Sequence, residues 1–97
     1  VVRTRGKAIS TNTLSADALI YAGPCVVHWI DVSDTAALAM ELNDSLNNGG
    51  TDRWSKDFPA GAYAHFNLDP PKIFTTGLYL DVSTVTCKVE ICYEPLY

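Results

Sequence analysis

The chain has 97 residues, of which 47% are hydrophobic and 19% charged, and its net charge is −4. This length fits one domain, and this composition is typical of a globular protein rather than a disordered one. An acidic body is repelled by phosphate, so we expect no nucleic-acid partner. No apolar run reaches the ~18 residues that span a bilayer, so we expect no membrane partner either.

The first residues differ from the rest in charge. Arg3, Arg5 and Lys7 supply three of the seven basic side chains, within the polar stretch VVRTRGK. Two interpretations stay open: a solvated, frayed terminus, or an arm that docks on an acidic neighbouring subunit. We divide the chain into an extended N-terminal arm, residues 1–15, and a β-sandwich domain, residues 16–97.

Turn signals follow one another about every 8–12 residues, which is typical of a sandwich or barrel of short strands. Residues 18–21 and 25–32 are rich in β-branched and aromatic side chains and predict the first two strands. Strict alternation puts Trp29 on one face of the second strand and Ile30 on the other. Both faces are largely apolar, so we expect this strand to be central or covered by a neighbouring subunit.

Residues 35–46 allow two interpretations. Propensity favours a helix, because leucines recur at a spacing of four in Leu38, Leu42 and Leu46. A strand would instead place Leu38, Met40 and Leu42 on one inward face. Local physics does not decide between the two.

The C-terminal third shows the clearest strand pattern. Residues 62–68 alternate as a half-buried strand, and Ile73–Phe74 form a short one after two prolines. Apolar residues then alternate with polar ones over residues 78–82 and 85–91. If Ser83 and Thr84 form a two-residue turn, these segments pair as a hairpin with every apolar side chain on one face.

Nothing in the sequence predicts catalysis, a metal or a cofactor. The three cysteines, Cys25, Cys87 and Cys92, are an odd number and make a poor disulfide framework, so we interpret them as small apolar side chains. Cys25 and His28 are three residues apart, and on a strand such side chains diverge rather than converge on zinc. We therefore expect a protein that is not an enzyme.

The aromatic side chains are the remaining candidates for binding. They could form a protein–protein interface or a sugar-stacking platform built from Trp54 and Tyr63. We favour the interface and retain a carbohydrate-binding module as the alternative. The candidate assembly interface consists of Arg3, Arg5, Lys7, Trp29, Trp54 and Tyr97.

From residue 18 onward the sequence resembles small virion proteins of tailed bacteriophages. The resemblance rests on the turn Ala22-Gly23-Pro24 before a strand, the segment Met40–Asp44, the run Pro71–Tyr79 with its Gly77-Leu78-Tyr79, and a final Tyr93-Glu94. It implies a strand rather than a helix within residues 35–46. Together with the turn spacing, it predicts an all-β fold: an antiparallel β-sandwich or jelly-roll-like domain of about seven or eight short strands.

The resemblance also implies a function. Proteins of this group are non-enzymatic decoration, fibre-base or adaptor subunits on capsids or tails. We therefore expect a virion protein, made in the host cytoplasm, whose partners are other virion proteins and further copies of itself, with a trimer as the favoured oligomer.

Overall fold

The computed structural model describes residues 8–96, and within that range the chain forms eight β-strands and no helix. The strands are β1 (Ile9–Ser10), β2 (Ala18–Tyr21), β3 (Cys25–Asp34), β4 (Leu38–Asp44), β5 (Thr51–Phe58), β6 (Tyr63–Phe74), β7 (Leu78–Val82) and β8 (Cys87–Pro95). The prediction of an all-β fold is confirmed. No helix long and apolar enough to cross a membrane occurs in this part of the chain.

The strands form two four-stranded sheets in which every neighbouring pair is antiparallel. The first sheet has the order β1-β8-β3-β6, and the second has the order β2-β7-β4-β5. Consecutive strands mostly lie in different sheets, and only the connection from β4 to β5 joins neighbours of one sheet. The two sheets face each other, and their inner faces make the core.

The core is built from alternate residues of the central strands of both sheets. The first sheet contributes Val27, Ile30 and Val32 from β3 with Val89 and Ile91 from β8. The second contributes Leu38, Met40 and Leu42 from β4 with Leu78 and Leu80 from β7. The period of two that defines a strand is therefore also the period of burial.

Residues 38–44 form a strand, as the resemblance implied. Leu38, Met40 and Leu42 are buried, while Ala39 between them is exposed. The helical interpretation of residues 35–46 is wrong, because burial of one face of a sheet outweighs local helix propensity.

The faces of β3 differ from the strict alternation expected. Its register against both β6 and β8 shifts between Val27 and Trp29. The shift turns Ile30 into the core with Val27, and Trp29 stays only half-buried. An irregularity of this kind changes every later side chain from one face to the other, which the sequence pattern alone does not reveal.

The predicted hairpin of residues 78–91 is wrong. β7 and β8 lie in different sheets, and the connection between them crosses the sandwich. Leu78, Leu80 and Val89 are fully buried, as predicted, but Val85 is 71% exposed. The apolar faces of β7 and β8 meet in the core from two opposed sheets. Apolar and polar residues therefore alternate along each strand just as they would in a hairpin.

Three strands were not anticipated in their observed form. β1 lies within the predicted N-terminal arm and pairs with β8. β5 was missed because only Trp54 and Phe58 interrupt its polar sequence, and both are half-buried. β6 was expected as two strands but runs continuously from Tyr63 to Phe74. Its pairing with β3 passes from Asn67 directly to Lys72, so the proline pair lies in an excursion from the sheet.

The carboxylate of Asp44, at the end of β4, holds the turn that joins β6 to β7. It accepts hydrogen bonds from the Thr75 hydroxyl at 2.9 Å and from the backbone N–H groups of Thr76 and Gly77 at 2.7 and 3.3 Å. The Thr75 N–H also donates to it, at 3.0 Å. Burial alone would raise the pKa of Asp44, but these bonds outweigh it and lower the pKa to about 2.

We expect Asp44→Asn to destabilise the protein by about 1.5–3 kcal/mol at neutral pH, the usual contribution of hydrogen bonds to a charged group. Urea unfolding would measure the change in the free energy of unfolding. Asp57→Asn is the matched control, because Asp57 is exposed on the neighbouring β5, and it should change stability by less than about 0.5 kcal/mol.

The pH dependence gives a second readout of the same contact. Because the pKa of Asp44 falls on folding, its stabilisation is fully present above the ordinary pKa of 3.8 and is lost as the pH falls toward about 2. The difference between the wild type and Asp44→Asn should therefore shrink across that window. A difference that stays constant down to pH ~2 would contradict the assignment.

Gly77 occupies a position in this turn that has no room for a side chain. An added Cβ would lie 2.8 Å from the Ser45 carbonyl oxygen and 3.1 Å from that of Tyr21. We expect Gly77→Ala to destabilise the fold by about 1–3 kcal/mol, because backbone atoms on both sides would have to move. Gly49→Ala is the control, since its Cβ would approach only the Asn47 side chain. Equal thermal stability of the two variants would refute the steric explanation.

Candidate interaction surfaces

The predicted interface residues do not form one surface within the described range. Arg3, Arg5, Lys7 and Tyr97 lie outside the described residues. Trp29 is in β3 of the first sheet, and Trp54 is in β5 of the second. The two indoles therefore belong to separate environments, and the predicted interface remains a prediction.

Trp29 lies on the outer face of the first sheet, beside the histidine of the neighbouring strand. The rings of Trp29 and His65 are 5.4 Å apart, and Nδ1 of His65 lies 3.3 Å from a carboxylate oxygen of Asp31. Tyr63, at the start of the same strand, is 73% exposed. This face thus presents aromatic rings with polar edges to the solvent.

Trp54 lies where the edges of the two sheets meet. Its ring contacts Phe66 of β6 edge-on at 5.3 Å, so β5 and β6 lie on the same side of the sandwich. Tyr63 is at the start of β6, opposite Ser33. Trp54 and Tyr63 therefore do not form the expected sugar-stacking platform. Trp54 instead lines a cavity of about 540 Å³. The other residues of its wall are Arg53, Asn67, Leu68, Asp69, Pro70, Pro71, Lys72 and Ile73.

All three cysteines are free and buried, in agreement with their interpretation as small apolar side chains. Burial, with a smaller effect of the Asp44 charge, raises the pKa of the Cys25 thiol to about 12. Burial also raises the pKa values of Cys87 and Cys92. The nucleophilic thiolate is therefore scarce at neutral pH. Residues 8–96 contain no group of three or more acidic, histidine or cysteine side chains that could hold a metal ion.

The outer face of the second sheet carries a row of carboxylates. Glu41 lies opposite Asp81 in the sheet, and Asp52 and Asp17 flank this pair through electrostatic contacts. Burial, together with the charges of Asp52 and Asp81, raises the pKa of Glu41. Burial and the charge of Asp17 raise the pKa of Asp81. The row makes this face strongly negative at neutral pH.

Both sheets end in strands that pair on one side only within residues 8–96. β6 pairs with β3 alone and β5 with β4 alone, and these two edges lie together. The edges of β1 and β2 lie on the opposite side of the sandwich, where Tyr21 of β2 is 5.8 Å from Tyr93 of β8. Residues beyond β1 extend its edge, because Leu14 exchanges backbone hydrogen bonds with Val89.

Sequence reasoning identified the aromatic residues but not these edges or the cavity. Alternation predicts which face of a strand is buried, but it does not show which strand ends a sheet. The proline pair was interpreted as a turn, although it forms part of the cavity wall. Charges on β5, at Asp52, Arg53, Lys56 and Asp57, and the prolines of β6, Pro70 and Pro71, are the sequence signals typical of edge strands.

Comparison with known proteins gives no family for the chain. It matches no protein-family model and no curated protein. It is similar to a solved chain from the work "Bacillus endospore appendages form a novel family of disulfide-linked pili", with 17% identity and a TM-score of 0.49. The match covers 91% of this chain and 80% of that one.

Proposed function

We propose that the protein is a non-enzymatic structural subunit that self-associates side by side through the open edges of its sheets. The observation that carries this proposal is the pair of edges, on opposite sides of one small sandwich, that stay unpaired among residues 8–96. An exposed strand edge presents unpaired N–H and C=O groups and readily pairs with another chain. A domain of this size also buries only about 60–65% of its unfolded surface, so it gains stability from a neighbour.

The first sheet offers the better edge for this pairing. Residues 63–68 of β6, Tyr-Ala-His-Phe-Asn-Leu, contain no proline and no Asp, Glu, Lys or Arg. β5, by contrast, carries two acidic and two basic side chains, which protect an edge against pairing. The edge on the opposite side is formed by residues 9–14, which run antiparallel beside β8. The outer side of this segment is unpaired among the described residues.

The strand directions fit copies that stand side by side in the same orientation. Each sheet has four antiparallel strands, so its first and last strands point in opposite directions. β1 of one copy beside β6 of the next would therefore continue an antiparallel sheet, and β2 beside β5 would do the same. The rotation between copies decides whether the series closes, as in the trimer implied by the resemblance, or stays open.

The cross-strand rows specify which residues would meet. The Thr13 hydroxyl donates to Glu90 at 3.1 Å, Glu90 lies opposite Asp31, and Asp31 lies opposite His65. Thr13 and His65 are thus the two ends of one row across the first sheet. A second copy that is not shifted along the strand direction would bring its Thr13 next to His65 of the first copy. The two residues would then be separated by ~5 Å, which is typical of cross-strand neighbours.

Engineered cysteines test this arrangement. A mixture of Thr13→Cys and His65→Cys proteins should form a disulfide-linked heterodimer under mild oxidation, because the two positions become neighbours only between copies. Non-reducing electrophoresis measures the product. Each variant alone should stay uncrosslinked, and Val85→Cys, on the exposed connection between β7 and β8, should not crosslink with His65→Cys.

The opposite result would overturn edge pairing. Dimers of His65→Cys alone would show that like edges pair, and the absence of any heterodimer in concentrated solution would refute the side-by-side model.

The same assay tests the basic arm, which we propose contacts the carboxylate row of a neighbouring copy. Neutralising Arg3, Arg5 and Lys7 as glutamines should lower the heterodimer yield at low salt and have little effect at high salt.

We further propose that the assembly is the virion of a tailed bacteriophage. The resemblance of residues 18–94 to small virion proteins supports this placement. Antibodies against the protein should label the head or tail of phage particles released from the cells that make it, as seen by immunogold electron microscopy. Particles that stay unlabelled while the protein is abundant in the lysate would contradict the virion assignment.

A further inference from the structure

The cavity beside Trp54 combines an aromatic and aliphatic wall with polar side chains. Its apolar wall contains Trp54, Leu68, Ile73 and the two prolines of the β6 excursion. Its volume, about 540 Å³, falls within the range of about 300–1,000 Å³ that is common for small-molecule sites. Packing of Trp54 against Phe66 fixes the position of the indole, so this wall is preformed.

Polar side chains from both β5 and β6 lie around this apolar wall. Asn67 brings an amide, Asp69 a carboxylate and Lys72 an ammonium group to the cavity from β6. Arg53 reaches it from β5, and its Nε lies 3.5 Å from the Asp44 carboxylate. That ion pair orients the guanidinium and leaves its outer N–H groups free to donate, because arginine has five donors.

The charge of the cavity differs from that of the rest of the domain. Residues 8–96 contain four of the seven basic side chains and all eleven acidic ones. Two of those four basic residues, Arg53 and Lys72, line the cavity, together with only one acidic residue, Asp69. With Asp44, which pairs with Arg53, the charges around the cavity balance, whereas the rest of the domain is acidic. An anionic ligand therefore meets less repulsion in the cavity than elsewhere on the domain, and Lys72 and the outer N–H groups of Arg53 can bind it.

We propose that this cavity binds an acidic saccharide, a sugar chain whose units carry carboxylates. The flat C–H face of a sugar ring packs on an indole, and its hydroxyls need amide and carboxylate partners such as Asn67 and Asp69. Its carboxylates pair with Arg53 and Lys72. The inference does not rest on self-association, since every wall residue belongs to one chain. Because Asn67 and Leu68 also belong to the β6 edge proposed for pairing, binding is measured with the protein dilute enough to be monomeric.

Titration with a hexamer of galacturonic acid, using calorimetry and amide chemical shifts, tests the proposal. Binding should be saturable and should shift the amide signals of residues 67–73. Trp54→Ala should weaken it by about tenfold or more, and Lys72→Gln by about two- to fivefold. Lys72 is exposed, so the second variant keeps the fold even if the first does not.

Two comparisons make the result specific. Tyr63→Ala removes another candidate aromatic, which is 73% exposed at the start of β6 and outside the cavity wall, and should leave the affinity unchanged. Maltohexaose, a neutral sugar of equal length, should bind more weakly than the acidic hexamer. The proposal would be overturned by the absence of saturable binding, by equal affinity for the neutral sugar, or by affinity that neither Trp54→Ala nor Lys72→Gln alters.

Discussion

The structure depends on the burial of one face of each sheet against the other. Between residues 8 and 96 the chain changes sheet at six of the seven connections, every one except that between β4 and β5. Apart from β4 and β5, the neighbours within each sheet are therefore supplied by strands that are not consecutive in the chain. The inward side chains of both sheets are removed from water together, and this shared burial is the main stabilising term.

The connection between β6 and β7 shows how a crossing is fixed once the core is buried. Asp44 ends a strand of the second sheet, and its carboxylate satisfies the backbone N–H groups of the turn that arrives from the first sheet. Gly77 then passes between the carbonyl groups of Ser45 and Tyr21, so closely that a Cβ at this position would force the backbone to move. A carboxylate and a glycine thus determine the path of a turn that apolar burial alone would leave undetermined.

The sequence predicted which residues are buried better than it predicted which strands lie next to each other. Alternation correctly placed Leu78, Leu80 and Val89 in the core, because a period of two follows directly from strand geometry. It could not predict that β7 and β8 face each other across the sandwich, since opposed sheets and hairpins give the same pattern. The register shift before Trp29 was likewise hidden, because a local irregularity leaves no mark in the apolar pattern.

The interaction surfaces were predictable only in part for a related reason. Trp54 was recognised as a binding candidate from its residue type, but its neighbours in the cavity come from an excursion of β6 that the sequence suggested was a turn. The open edges depend on strand order, which is set by long-range pairing. The sequence shows which individual side chains are candidates for binding, whereas the surface that they form together depends on the order of the strands.

The two sheets differ in how their edges are protected, and this difference favours one mode of association. β5 carries charges along its length, whereas residues 63–68 of β6 carry none. In the proposed assembly a neighbour would therefore gain backbone hydrogen bonds along the first sheet at little electrostatic cost, while pairing of β2 with β5 along the second sheet would be weaker. Association would then be governed by β6, with the charged β5 and the acidic outer face of its sheet left to polar contacts such as the basic N-terminal segment. An asymmetry of this kind fixes the orientation of successive copies, because only one of the two adjacent edges is suited to continuous pairing.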